Sequence, residues 1–279
     1  MSNQQNIGDH YAQATLLSAI KAGIAKLGKT NETVQVEDLA PVDEFHIGGR
    51  QATVHLMNQL GFGPEDHVLD VGCGLGGAAR FVASATQAKV SGVDATADYV
   101  SVGNVLNGWV GLDDQIKLLE GFAQSMPFDG EMFDGAYIIH VGMNFPDKVE
   151  AYREINRVLK PGALFGIYDI MQKDPGEIAY PVPWASEPSL SHLRTADAYQ
   201  DALTSAGFKV LNVNSRYDFA LDFFAQIRAK AVAGGNSGPA PLGLHLLMGE
   251  STPAKIGNMV GNLQNGLIAP VEIIAQKPV

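Results

Sequence analysis

The chain has 279 residues, is 46% hydrophobic and carries a formal net charge of -11, so it can bury a sizeable core in one elaborated domain. A pI near 5.0, with no run of Lys and Arg, argues against nucleic acid or an acidic membrane as partner, because both call for a clustered basic surface. The single cysteine, Cys73, excludes an intrachain disulfide framework and a multi-cysteine metal site, and reads as a small buried residue.

The opening MSNQQNIGDHYAQ lacks the basic head and apolar stretch of a signal peptide, and no apolar run approaches the roughly 20 residues of a membrane span. The expected location is the cytoplasm. From about Asp9 to Leu27, apolar residues recur at helical spacing, which predicts a helical cap; GKTNETVQVED after it reads as a loop. A second helix is expected from near Gln51 to Leu60, ending at Gly61 and Gly63. Strands are then predicted at His67–Val71, Lys89–Val93, Ile116–Leu119, Gly135–Ile139, Ala163–Tyr168 and Phe208–Val213. Helices around Gly76–Ser84, Ala97–Trp109, Asp147–Leu159 and Thr195–Ala206 fall between them. That alternation implies an α/β, doubly wound parallel sheet with helices on both faces. Helical segments at Phe219–Val232 and near Pro253–Leu263 read as an insertion over the carboxyl edge of the sheet, before a final strand near Val271–Ala275. The expected division is 1–62 for the cap and entry helix, 63–216 for the α/β core, 217–266 for a helical lid and 267–279 for the last strand.

VLDVGCGLGG, Val68 to Gly77, is a strand running into Gly72, Gly74 and Gly76 and then a helix. Glycines let the chain turn at positive φ and let a ligand approach bare backbone, while the helix start offers free N–H groups. Dinucleotide sites share this pattern. Here Asp70 precedes the first glycine by two residues, which suits a cationic amine better than a pyrophosphate; satisfying loop amides is its structural alternative. The next strand, KVSGVD, ends in Asp94, placed to accept hydrogen bonds from ribose hydroxyls or to cap the following helix.

Taken together, VLDVGCGLGG, GVDAT, FDGAYIIHVGMN and RVLKPGALFGIYD resemble the motifs of the class I S-adenosylmethionine-dependent methyltransferases, from about Phe45 to Ala206. The resemblance implies S-adenosylmethionine as cofactor and a mostly parallel seven-stranded sheet whose last strand, VEIIAQK, runs antiparallel. EFHIGGRQAT, Glu44 to Thr53, is similar to a segment of the phosphoethanolamine and the sarcosine and dimethylglycine methyltransferases. The cofactor contacts so implied are Gly48, Gly49, Asp70, Gly72, Gly74, Gly76, Asp94, Ala95, Phe122, Ala123 and His140. Two departures stand out. Gly121-Phe122-Ala123 replaces a Gly-Asp-Ala that would reach the adenine amine, leaving backbone or ring stacking. His140 and Asn144 stand where phosphoethanolamine enzymes have an Asp and a catalytic His.

Methyl transfer from a sulfonium needs mostly alignment and water exclusion, with one base if the acceptor must lose a proton. His140 is the preferred candidate, since an ordinary imidazole titrates near neutrality. His46 reads as a loop-packing residue. Tyr11, Asn144, Tyr168 and Trp184 are the candidate acceptor contacts, and Asp169 either orients the acceptor or caps the next segment. No metal is expected, because His67, His192 and His245 are isolated in sequence. The expected partner is a small-molecule methyl acceptor taking the methyl on nitrogen or oxygen. A nonmethylating reaction such as cyclisation on the same cofactor-binding fold is the alternative.

Overall fold

The apolar runs pair into one seven-stranded sheet in a computed structural model that describes residues 15–234 and 240–279. Strands β1 (His67–Val71), β2 (Lys89–Asp94), β3 (Ile116–Glu120), β4 (Phe133–Ile139), β5 (Leu159–Gln172), β6 (Lys209–Ser215) and β7 (Ile268–Gln276) lie in the order β3-β2-β1-β4-β5-β7-β6. Six strands are mutually parallel, and β7 is antiparallel to both its neighbours, β5 and β6. The chain winds outward from β1 to β3, then returns to β4 on the other side of β1. This reversal opens a crevice at the carboxyl ends of β1 and β4, where open α/β sheets take ligands.

Before the sheet, the described part of α1 covers 15–26, and α2 (Val36–Asp43) and α3 (Arg50–Leu60) follow. Helices α4 (Gly77–Thr86), α5 (Ala97–Trp109), α6 (Lys148–Val158) and α7 (Ala196–Ser205) alternate with strands. The insertion before β7 holds α8 (Tyr217–Gly234), α9 (His245–Met248) and α10 (Thr252–Gln264). Local signals set several boundaries. Asp147 caps α6 by accepting from the Glu150 amide at 3.0 Å, Thr195 caps α7 through the Ala198 amide, and Gly61 ends α3 at φ 67°.

One face of the sheet buries Phe133, Tyr152, Ile155, Phe165 and Leu203 against α6 and α7, and the other buries Leu56, Leu60, Val82 and Val90 against α3 and α4. Ile20, Ile24, Leu39 and Val42 carry α1 and α2 onto Leu75 and Leu106, closing over the loop after β1. Ile47, Met143, Ala220, Met259 and Leu263 join the insertion to the loop after β4.

The structure departs from sequence expectation at α2, which occupies part of the stretch read as a loop. Its first turn carries Glu37 and Asp38, favourable beside the helix amino end, and the Gln35 amide donates to Asp38 Oδ2 at 2.8 Å. Helix α9 is likewise an element that the sequence reading did not predict. Strand β5 is longer than read, because Leu159 pairs with Phe133 before the ladder resumes at Leu164. Tyr11 lies outside the described residues. Among the described residues, no helix is long and apolar enough to cross a membrane.

Candidate active site

At the end of β1 the chain turns through Gly72, Gly74 and Gly76, with φ of 77°, 53° and 81°. The turn is tied to the next strand: the Gly72 amide donates to the Val93 carbonyl at 2.7 Å. A Cβ on Gly72 would lie 2.4 Å from the Val141 side chain, so glycine lets this loop press against the loop after β4. Asp94, ending β2, accepts from the Gly74 amide at 2.9 Å and from the Thr96 amide at 2.8 Å. It therefore holds both flanking loops, and Thr96 rather than Asp94 is the N-cap residue of α5.

Asp70 is only 3% exposed, and the Tyr137 hydroxyl donates to its Oδ2 at 3.0 Å. Burial raises its pKa to about 7; the Tyr137 hydrogen bond and Arg80 oppose the rise, and Asp94 adds to it. Nearby, the amino end of α4 is met by a carboxylate of this chain. Asp43 Oδ1 would lie 2.6 Å from a Cβ on Gly77, and the fully buried Arg80 bonds Asp43 Oδ2 at 2.5 Å, the Leu75 carbonyl at 2.6 Å and Asn107 Oδ1 at 2.6 Å. Arg80 balances the Asp43 charge, but Asp43 fills the space at this helix start, leaving no room there for a pyrophosphate. With Asp70 and Asp94 close by, the surroundings favour a cationic ligand.

The loop after β4 supplies the opposite wall. His140 adopts φ 56°, unusual for a side chain with a Cβ, and its amide donates to the Tyr168 carbonyl at 2.7 Å. Buried Asp169 holds the turn by accepting from the Val141 amide at 2.8 Å and the Tyr199 hydroxyl at 3.1 Å. Buried Lys148 donates to the carbonyls of Gly142 at 2.7 Å and His192 at 2.9 Å. Desolvation raises the Asp169 pKa and lowers that of Lys148, and each group opposes the other's shift. Asp169 thus clamps the loop, a role that neither sequence alternative named.

Phe45, His46, Asp70, Gly72, Cys73, Ile139 and His140 line one cavity, together with Asp43 and Ala78. The His46 and His140 rings are 5.9 Å apart, and Tyr168 lies 5.3 Å from His140, its hydroxyl donating to the Ile47 carbonyl at 2.9 Å. Burial pushes His140 well below the ordinary imidazole range, and its Nε2 is buried without a hydrogen-bond partner. Other candidates sit apart from this cavity. Gly48 turns its Cα toward Phe219 of α8, where a Cβ would meet the ring at 2.5 Å. Phe122 is 64% exposed, with Ala123 buried beside it, and Ala95 is exposed at the edge of the loop after β2. Asn144 is exposed on a 3-10 turn, and Trp184 packs with the insertion while its Nε1 donates to Ser191 Oγ at 3.0 Å. Sequence reading set His46 aside and assigned no role to Asp43, Arg80 or Lys148. Only the fold brings these residues to the loops.

Residues 69–167, from β1 into β5, match the methyltransferase domain family. A sterol 24-C-methyltransferase of Gibberella zeae is 38% identical over 120 residues, 43% of this chain and 32% of that protein. The chain spans about a third to a half of the length of the first curated relatives it matches. Among solved structures, phosphoethanolamine N-methyltransferase 2 of Haemonchus contortus, in complex with S-adenosyl-L-methionine, is similar with a TM-score of 0.69 and 18% identity. The match covers 85% of this chain and 54% of that one. The (4+2)-cyclase SpnF is similar with a TM-score of 0.67 and 20% identity over 95% of this chain and 94% of its own. At these identities the structural matches speak to fold, and the seven-stranded sheet with antiparallel β7 is the class I methyltransferase fold.

Proposed function

We propose that this chain, with its methyltransferase domain on a class I methyltransferase fold, is an S-adenosylmethionine-dependent methyltransferase that acts on a nitrogen or oxygen of a small organic acceptor. The observation that carries the reading is the buried Asp70 carboxylate beside a glycine loop whose helix start is covered by Asp43. That arrangement suits an ammonium and a sulfonium and disfavours a pyrophosphate.

The residues fit the cofactor. Asp70 would hold its amino group, Asp94 its ribose hydroxyls, and the loop from Gly72 to Gly76 would lie against it with no Cβ in the way. Phe122 and Ala123 would flank the adenine, and Gly49 and Ala95 the two ends of the crevice. Gly48 would act through the turn it permits beneath Phe219. When bound, S-adenosylmethionine supplies an electrophilic methyl group on a positively charged sulfur. The protein's share is to bind, align and keep water out. His140, kept neutral by burial and pinned by Tyr168 and Asp169, would receive the acceptor's nucleophilic group as a hydrogen-bond partner. Tyr168 would wall the acceptor, with Trp184 and Asn144 at the outer rim.

Incubating the protein with S-adenosylmethionine labelled in its methyl group and a panel of amines, alcohols and phenols tests this reading. The expected result is a labelled product heavier than its acceptor by one methylene. A product of unchanged mass would favour the second reading, a nonmethylating reaction, which the end-to-end fold match to SpnF supports.

A further inference from the structure

The two imidazoles of the cavity have different surroundings. His46 Nε2 lies 2.9 Å from the Gly49 carbonyl oxygen, which can only accept, so the neutral ring carries its hydrogen on Nε2. The same nitrogen is 3.0 Å from Thr53 Oγ1, whose own hydrogen is thereby free to go to Glu44 Oε2 at 3.1 Å. Thr53 is fully buried, Glu44 is 7% exposed, and Arg50 Nε takes the other carboxylate oxygen. The chain Glu44–Thr53–His46 is therefore polarised in one direction. It leaves His46 Nδ1 as a lone pair, with no hydrogen-bond partner among the described residues, on a ring that lines the cavity with Asp70. His140 has no comparable link to a carboxylate.

We propose that His46 is the group that takes the acceptor's proton, with the Gly49 carbonyl fixing its tautomer and Thr53 and Glu44 as positioning residues that share the charge it acquires. This rests on the methyltransferase reading, and it narrows the acceptor to a molecule with hydrogen on its nucleophilic nitrogen or oxygen. The acceptor's lone pair forms the bond to the methyl carbon, and the pair of the breaking carbon–sulfur bond stays on sulfur. The acceptor's hydrogen passes as a proton to Nδ1. The positive charge lost at sulfur is thus carried by the imidazole, facing Glu44 through Thr53, until the proton leaves to water.

The titratable groups around the ring are Glu44 from its own segment, Arg50 of α3, His140 after β4 and Tyr168 of β5, with Asp43, Asp70 and Cys73 on the same cavity. Burial, with Arg50 adding to it and the Gly49 hydrogen bond opposing it, brings the His46 pKa down to about 4. The base is accordingly free of its proton across the neutral range.

Nitrogen-detected histidine spectra of the full chain, recorded from pH 8 to pH 5 with the His46 signal assigned from H46Q, read the tautomer directly. The wild type is expected to hold one neutral form protonated at Nε2 throughout; T53V, which leaves the Gly49 acceptor in place, is expected to keep that form but to lower kcat, and T53S to restore the rate. A His46 protonated at Nδ1, or charged at pH 6, overturns the proposal. In the labelled-methyl assay with phenol and amine acceptors, H46Q is expected to lose about 100-fold in kcat while its affinity for S-adenosylhomocysteine stays within about threefold. Transfer by H46Q at the wild-type rate also overturns it. A wild type that binds no S-adenosylhomocysteine in calorimetry fails the methyltransferase reading itself, a result distinguishable from a wrong tautomer.

Discussion

Asp70 combines a cost and a use. In the unfolded chain its carboxyl ionises at its ordinary value of 3.8, and in the folded protein only near 7, so ionisation opposes folding at pH 8 and has little effect where both forms are neutral. Asp70→Asn is therefore expected to raise Tm by several degrees at pH 8, corresponding to on the order of 4 kcal/mol at most, and by less at pH 5. A melt at each pH checks the sign. The same carboxyl, once ionised, meets the cofactor's ammonium. S-adenosylmethionine is expected to bind more tightly as pH rises through about 7, and Asp70→Asn to flatten that dependence and weaken binding at pH 8. Calorimetry across pH 6 to 8 measures both effects. Asp94 differs in its partners, since the backbone amides of Gly74 and Thr96 face its two oxygens.

The loop after β4 is an element whose shape is imposed by two buried charges. Replacing Lys148 with Met leaves the Gly142 and His192 carbonyls without their donor and Asp169 without its counter-charge. The expected cost is about 2–4 kcal/mol in denaturant unfolding, with a fall in kcat as His140 loses its fixed position. At the start of α3, Gly48→Ala combines φ 90° with a Cβ 2.5 Å from Phe219, so it is expected to destabilise by about 2 kcal/mol or more. Phe219→Ala should relieve the contact but not the backbone strain, and a double-mutant cycle separates the two.

These elements also mark how far the sequence could be read. The strands, the glycine loop and Asp94 were legible because hydrophobic runs and turn residues report local geometry. Helix α2 was not: its buried apolar residues, Leu39 and Val42, sit in a polar stretch with Pro41 inside the helix, and it is held by packing on α1 and α4 and by the Asp43–Arg80 pair. The Asp43–Arg80 pair spans 37 positions and the clamp from Lys148 to His192 spans 44, separations that no sequence window connects. His46, Gly49 and Thr53 are close in sequence, yet only the turn at Gly48 and Gly49 brings that nitrogen onto both partners.

At the scale of the molecule, the reversal of winding between β1 and β4 places the carboxylates and the imidazoles on facing sides of one crevice, and α1, α2 and the insertion close around it. A ligand held by so many separate elements should stabilise all of them together. At a hundredfold excess over its Kd, S-adenosylmethionine is expected to contribute about 2.7 kcal/mol and to raise Tm by roughly 5–10 °C, a shift that Asp94→Ala should largely abolish.

The central claim, that this crevice takes a sulfonium amino-acid nucleoside and not a dinucleotide, is tested most directly by calorimetric titration of the protein with S-adenosylmethionine and, separately, with NADH. Saturable binding of S-adenosylmethionine at one site per chain is expected, unaffected by NADH and lost in Asp94→Ala. Binding of NADH with no heat from S-adenosylmethionine would contradict that claim.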